Sequence, residues 1–439
     1  MRTLIAAGER SARVLTLTKL ANVALAMLWG FAVTFVFVRV LPGQEFSAFL
    51  LLVAFNNFTI SAEFGLTNVI YTRLRRYWLG RQDGSGEPTD FLPEEIGVLF
   101  LFLIALVLGG SVLVLALMEL GWIRTGLPAV FLIFFIMSAL NVLLLLAKRA
   151  LAALDHNLLW EIIDIGRRVL ALGVLFAVLL GVDLLTSVWT LLALNVAGTA
   201  AGMMLIHRRM DMRLREWLAW RRGGGHVRRT YLRDIGASAL LTISEVAAYN
   251  SPYFLIAGLT HDHRLLLLFD FVFKMIRAVA TAIRATIEGA LPRLTRHWFA
   301  GEERAFGRAL LRALGVALAL AASADLLLIA AGQKIFSVLY DGRADMLMTE
   351  LLLLCILLAA LAVMCTSVYV QGALGRFGQL LGQSLPFLAG SLASVPFAVW
   401  FGGSPREDDV PFMIFYGLCF LGAGMLHARA MRRLARRPS

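Results

Sequence analysis

"FDFVFKMIRAVATAIRATIEG", residues 269–289, is apolar enough for a membrane helix but contains Asp270, Lys274, Arg277, Arg284 and Glu288. At the centre of a spanning helix, Arg, Lys or Asp costs about 2.5–3.5 kcal/mol on insertion scales, so charges there serve pairing or function. At 100° per residue, positions 270, 274, 277, 281, 284 and 288 fall within about 40° of one line. The five charges and Thr281 therefore form one stripe, about 27 Å long, close to the thickness of the hydrocarbon core.

The rest of the chain places this stretch in a membrane. Hydrophobic residues are 59% and charged residues 16% of the 439, whereas soluble domains carry about 25% charge. Twelve spans are predicted, at roughly 15–40, 45–72, 95–120, 126–147, 158–180, 184–206, 234–258, 264–292, 311–332, 345–371, 377–402 and 411–430. Polar residues interrupt the second, seventh and eighth. The start, "MRTLIAAGERSAR", is short and charged and reads as a cytoplasmic lead-in rather than a signal peptide.

Charge placement sets the orientation. With twelve spans, 29 Lys and Arg fall on the side of the termini, six on the other side and six within spans. This asymmetry puts both termini in the cytoplasm. It also accounts for most of the net charge of +12, which otherwise invites a nucleic-acid reading. The three cysteines, Cys355, Cys365 and Cys419, lie in apolar segments without metal-ligand spacing and read as small core residues. "HDH" (261–263) lacks a third ligand, so no metal or cofactor is expected. No phosphate-cradling loop, nucleophile elbow or zinc-protease helix is present, and the chain does not read as an enzyme.

The chain is internally duplicated. At an offset of 220 residues, Arg73, Leu74, Arg76 and Trp78 meet Arg293, Leu294, Arg296 and Trp298. Gly202, His207, Arg209, Arg213 and Leu214 likewise meet Gly422, His427, Arg429, Arg433 and Leu434. One ungapped offset lays six spans on six. The expected fold is an all-α polytopic membrane protein of about twelve transmembrane helices, in two parallel six-helix repeats around a central cavity. Its parts are an N-terminal bundle (1–206), a cytoplasmic linker (207–233) and a C-terminal bundle (234–439). In the linker, Trp217 and Trp220 among arginines suggest an interfacial helix or a solvated basic loop, and Gly223–Gly225 a flexible joint.

The duplicate positions of the stripe are Leu50, Ala54, Asn57, Ser61, Phe64 and Asn68, so the same face is polar in both halves but charged in one. Two readings compete for the stripe. Asp270–Lys274 and Arg284–Glu288 are spaced to neutralise each other, whereas Arg277 lies mid-span with no carboxylate three or four residues away. Arg277, Lys274, Arg284, Lys19 and Asn57 are the candidate substrate-binding residues. Glu245, Asp270, Glu288 and Asp325 are the candidate ion-coupling acids. Asn22, Asn56, Glu63 and Asn250 are weaker cavity candidates. Glu161, Asp164, Arg167 and Arg168 read as local ion pairs near a helix end, and Pro252 should bend the seventh span and free backbone carbonyls.

"VRVLPGQEFSAFLLLVAFNNFTISAEFGLTNVIYTRLRR" resembles the first two spans of bacterial oligosaccharide flippases. "SVLYDGRADMLMTELLLLCIL" and "QGALGRFGQ" resemble their ninth-to-tenth loop and the turn after span ten. That family is the polysaccharide branch of the multidrug/oligosaccharidyl-lipid/polysaccharide exporter (MOP) superfamily. Pro42 stands where the family usually has Gly. Lys19 is the only charge well inside the first span, unlike the arginine-rich first span of the lipid II flippases. The resemblance implies two six-helix bundles facing a central cavity. It also implies movement of undecaprenyl-diphosphate-linked oligosaccharides across the bacterial inner membrane, beside a polysaccharide polymerase and a chain-length regulator. The alternative functions are a drug or cation exporter of the same superfamily, a membrane-embedded enzyme and a scaffold. One chain supplies both halves, so function as a monomer is expected, with membrane lipids and the lipid-linked cargo as partners.

Overall fold

The structure is a computed structural model and describes residues 12–61, 66–83, 91–260, 262–402 and 409–435. The amino-terminal lead-in, Glu63, Phe64, His261 and most of the acidic turn at 402–411 lie outside the described residues, as do the side chains of Ser61 and Asn68. The described residues are almost entirely helical. They divide into two compact units, 1–242 and 243–439.

The first unit contains α1 (Ala12–Val40), α2 (Gly43–Ser61), α3 (Leu66–Asp83), α4 (Glu94–Glu119), α5 (Pro128–Ala139), α6 (Asn141–Ala153), α7 (Asn157–Ala177) and α8 (Leu184–Met210). A single 3-10 turn, Val178–Leu180, extends α7. Asp183 caps α8 by accepting from the Thr186 amide at 2.9 Å, which holds its carboxyl below the usual carboxylate range. After the short α9 (Leu214–Trp217), α10 (Trp220–Leu255) carries the chain across the division. The second unit continues with a π-helical turn (Ile256–Thr260), α11 (His263–Phe299), α12 (Glu303–Leu339), α13 (Met348–Ala373), α14 (Phe377–Gly402) and α15 (Asp409–Ala435).

Every predicted span falls on one helix or, for the second and fourth, on a consecutive pair. Among the described residues, eight segments are long and apolar enough to cross a membrane, by length and composition. The other four are α2–α3, α7, α10 and α11, where the in-span charges and polar residues gather. Their charges need protein partners rather than lipid, as any buried charge does.

The duplication is visible in backbone and packing. Gly121 and Asp341 both take positive φ, 74° and 57°, as do Asp155 and Gly375, 61° and 72°, each pair 220 residues apart. In the first unit α8 packs on α5, α6 and α7; in the second α15 packs on their counterparts α13 and α14. The entry to the second span is fastened by one carboxylate in the first unit, and a carboxylate also fastens a span entry in the second. Glu45 accepts from Thr125 Oγ1 at 2.5 Å and from the Gly126 amide. In the second unit Glu350 accepts from Arg264 at 2.8 Å and from the Leu347 amide at 2.7 Å.

Gly223–Gly225 does not form the expected joint: all three residues are inside α10. Gly223 lies against the carbonyl of Glu94 and the Val98 side chain, and Gly97 against the backbone of Glu216 and Trp217, too close in both cases for a Cβ to enter without displacement. Glycine here serves close approach, which locks the connection onto α4. Trp217 completes the contact, its ring edge-on to Phe100 with centroids 5.4 Å apart and its indole N–H donating to His207 Nδ1 at 3.3 Å.

Pro252 is inside α10. Lacking an N–H, it leaves the carbonyl of Ala248 without its helical donor. The Ser391 hydroxyl on α14 donates to that carbonyl and lies 3.5 Å from the Ser251 hydroxyl. The freed backbone group thus becomes a helix–helix tie, and the helix passes through the proline to Leu255 before the π turn.

Candidate functional site

Along α11 the charged stripe emerges from the protein interior. Asp262 caps the helix, accepting from the Arg264 amide at 2.7 Å. Two turns in, Asp270 is fully buried. It accepts hydrogen bonds from Tyr253 Oη of α10 at 2.8 Å, from Tyr340 Oη at the end of α12 at 2.7 Å and from Lys274 Nζ. Removing a carboxylate and an ammonium from water costs several kcal/mol each, which only such full pairing offsets. Lys274 is 14% exposed at its side chain, whereas Arg277, one turn further, is exposed. Thr281 Oγ1 returns a hydrogen bond to the Arg277 carbonyl at 2.7 Å. Arg284 Nε and Glu288 Oε1 pair at 2.7 Å with both side chains about half exposed, 46% and 50%.

Both i,i+4 pairs therefore form. The stripe has three cations to two carboxylates, with exposed Arg277 between the two pairs. Tyr369 of α13 presents its ring to the Arg284 guanidinium, 5.6 Å from centroid to carbon. Glu245 on α10 is half-buried. Next to it along α10, Tyr249 packs edge-on to Phe387 at 5.2 Å and near Phe273 and Phe420, each at 6.4 Å. Asp325 is on α12, with one carboxylate oxygen buried and without a hydrogen-bond partner among the described residues.

In the first unit, Lys19 is exposed and Asn57 half-buried. The dominant feature there is a polar network whose extent the sequence did not reveal. Asp164 on α7 accepts from Arg167 Nη2 at 2.6 Å, Arg168 Nε at 2.9 Å and Asn22 Nδ2 of α1 at 2.9 Å. Asn22 also donates to Glu161 at 2.5 Å, and Lys148 of α6 lies 3.1 Å from the same carboxylate. Arg167 reaches Asn195 of α8, whose amide donates to the Met137 carbonyl of α5 at 2.7 Å. The predicted local pairs, Asp164 with Arg167 and Arg168, are present, but the network spans five helices. Asn22, expected to line a cavity, is buried within it. The signal was available as polar residues on apolar faces, but the contacts join residues up to 142 positions apart.

No protein-family profile matches the sequence, and no curated protein sequence matches it significantly. Solved structures do. The eukaryotic MATE transporter AtDTX14 superposes with a TM-score of 0.66 at 14% identity, over 96% of this chain and 97% of that one. The Vibrio cholerae MATE transporter VcmN, in a point-mutant form, gives 0.62 at 16% identity over 99% of each. A MOP superfamily transporter from Pyrococcus furiosus, described by the reverse polarity of its binding pocket, gives 0.56 at 12% over 96% and 95%. The chain thus has the fold of the MATE transporters of the MOP superfamily, a multi-pass membrane architecture of two repeats.

Proposed function

We propose that this protein is a transporter that flips an undecaprenyl-diphosphate-linked oligosaccharide across the bacterial inner membrane, with both termini cytoplasmic and alternating access as its cycle. The observation that carries the reading is the net positive charge of the stripe, three cations to two carboxylates, with Arg277 exposed between the Asp270–Lys274 and Arg284–Glu288 pairs. A diphosphate cannot cross hydrocarbon unaided. Guanidinium groups replace its hydration with charge-assisted, bidentate hydrogen bonds. Arg277 is the primary ligand in this reading, with Lys274, Arg284, Lys19 and Asn57 as secondary contacts. The superfamily fold agrees with transport, and the sequence resemblance supplies the oligosaccharide cargo. The polymerase and chain-length regulator belong to the same proposal.

If transport is ion-coupled, Glu245 is better placed than the stripe's own acids. Asp270 already holds three donors and Glu288 is paired, whereas Glu245 makes no hydrogen bond or ion pair among the described residues. Glu245 also favours the second reading, a drug or cation exporter. An acid next to the aromatic cluster at Tyr249 is the chemistry that attracts an organic cation, and the solved structures of this fold include one described as a multidrug resistance MATE family transporter.

The test is mass spectrometry of polyprenyl-diphosphate-linked sugars in cells lacking the protein, complemented by wild type or Arg277→Ala at equal expression. The flippase reading expects an intermediate that accumulates without the protein, clears with wild type and persists with the variant. Absence of any accumulation while its synthesis is active would leave the exporter reading, to be examined by the drug sensitivity of the same strain.

A further inference from the structure

At the arginine-rich ends of α12 and α15, the second unit contains a cavity of about 1090 Å³. Its mouth carries Arg304 and Arg308, one turn apart on α12, with Arg432 of α15 and a single carboxylate, Glu303. All three guanidiniums are exposed, and none pairs with a carboxylate among the described residues. Further along the same face of α12 the lining becomes apolar, with Leu311 and Leu314, joined by Val363 of α13. Leu311 is 65% exposed. Of the lining, Leu310 and Met431 belong to a buried cluster that also includes Phe306, Leu294 and Leu434, so the walls are held by packed core.

We propose that this cavity binds an anionic glycerophospholipid. The phosphate would lie among Arg304, Arg308 and Arg432 at the first turns of α12, where the helix N-terminus also favours negative charge. The upper part of an acyl chain would follow Leu311 and Leu314 toward the bilayer. Charge complementarity and the change from basic to apolar along one helix face select this occupant. A free phosphate would leave the apolar part unfilled, and a zwitterionic lipid would forfeit the net attraction. Basic groups at a membrane surface attract anionic lipid on the arginine-rich side in this manner. The volume matches a site for a head group and part of a chain. The site shares no residue with the α11 stripe and stands whether or not the cargo proposal holds.

The experiment is native mass spectrometry of the purified full-length protein titrated with phosphatidylglycerol or phosphatidylcholine, with inorganic phosphate as competitor. Variants are Arg304→Ala/Arg308→Ala/Arg432→Ala, the filling variant Leu314→Trp, and the control Arg228→Ala/Arg229→Ala, which removes arginines elsewhere. Each must elute as wild type in size exclusion. The expected result is retained phosphatidylglycerol, bound about tenfold more weakly by the triple variant and weakened by Leu314→Trp. The control variant should bind normally, phosphatidylcholine should bind weakly, and phosphate should displace little lipid. Equal binding by the triple variant, by Leu314→Trp or of phosphatidylcholine, weakening by the control, or ready displacement by free phosphate, would each overturn the proposal.

Discussion

A carboxylate buried as deeply as Asp270 persists only while its donors remain. Lys274→Met would remove the one positive partner and leave a buried charge, destabilising the protein by about 3–5 kcal/mol. Adding Asp270→Asn should recover most of that loss, which denaturation in detergent would measure. Tyr340→Phe removes one of three donors to the carboxylate and should cost about 1.5–3 kcal/mol, while leaving the Arg277 surface unchanged. The pairing of Asp270 with Lys274 was legible in the sequence because it is local, an i,i+4 step on one helix. The tyrosines were not, because Tyr253 and Tyr340 come from neighbouring helices 17 and 70 residues away. The same limit hid the network at Asp164. A residue's own helix is written in the sequence period, whereas the partner helix is decided by packing.

At the scale of elements, prolines and glycines act through their neighbours. Pro252 frees the Ala248 carbonyl and Ser391 satisfies it. Ser391→Ala should therefore cost about 1–3 kcal/mol, and most of that loss should disappear in a Pro252→Ala background, where an amide becomes available again. A double-mutant cycle on denaturation midpoints would test this coupling. Gly97 lies against the backbone of Glu216 and Trp217, so Gly97→Val would force the connection off α4, at about 1–3 kcal/mol. Faster proteolysis between Arg208 and Arg229 would report it. The freed carbonyl was foreseeable from Pro252, but the role of Gly223 was not: glycine reads alike whether it supplies freedom or close approach.

At the scale of the whole molecule, duplication fixed the architecture while divergence placed the chemistry. The 220-residue offset recurs in turns with positive φ and in the packing of the sixth span on the fourth and fifth in each unit. The polar clusters do not recur. The positions equivalent to Asp270, Tyr253 and Tyr340 are Leu50, Val33 and Leu120, and Leu381 and Ser384 stand opposite Glu161 and Asp164. One unit thus gathers a polar and ionic network across five helices, and the other brings a net positive stripe to the surface at Arg277. The central claim is that this stripe recognises a lipid diphosphate. The most direct measurement is equilibrium binding of an undecaprenyl diphosphate to the purified protein, with tetraphenylphosphonium as competitor, for wild type and Arg277→Ala. The account predicts binding by wild type, weakening of about tenfold or more in the variant from loss of a charged hydrogen-bonding partner, and no competition by the cation. Equal binding by both proteins, or binding of the cation that depends on Glu245 in place of the diphosphate, would contradict it.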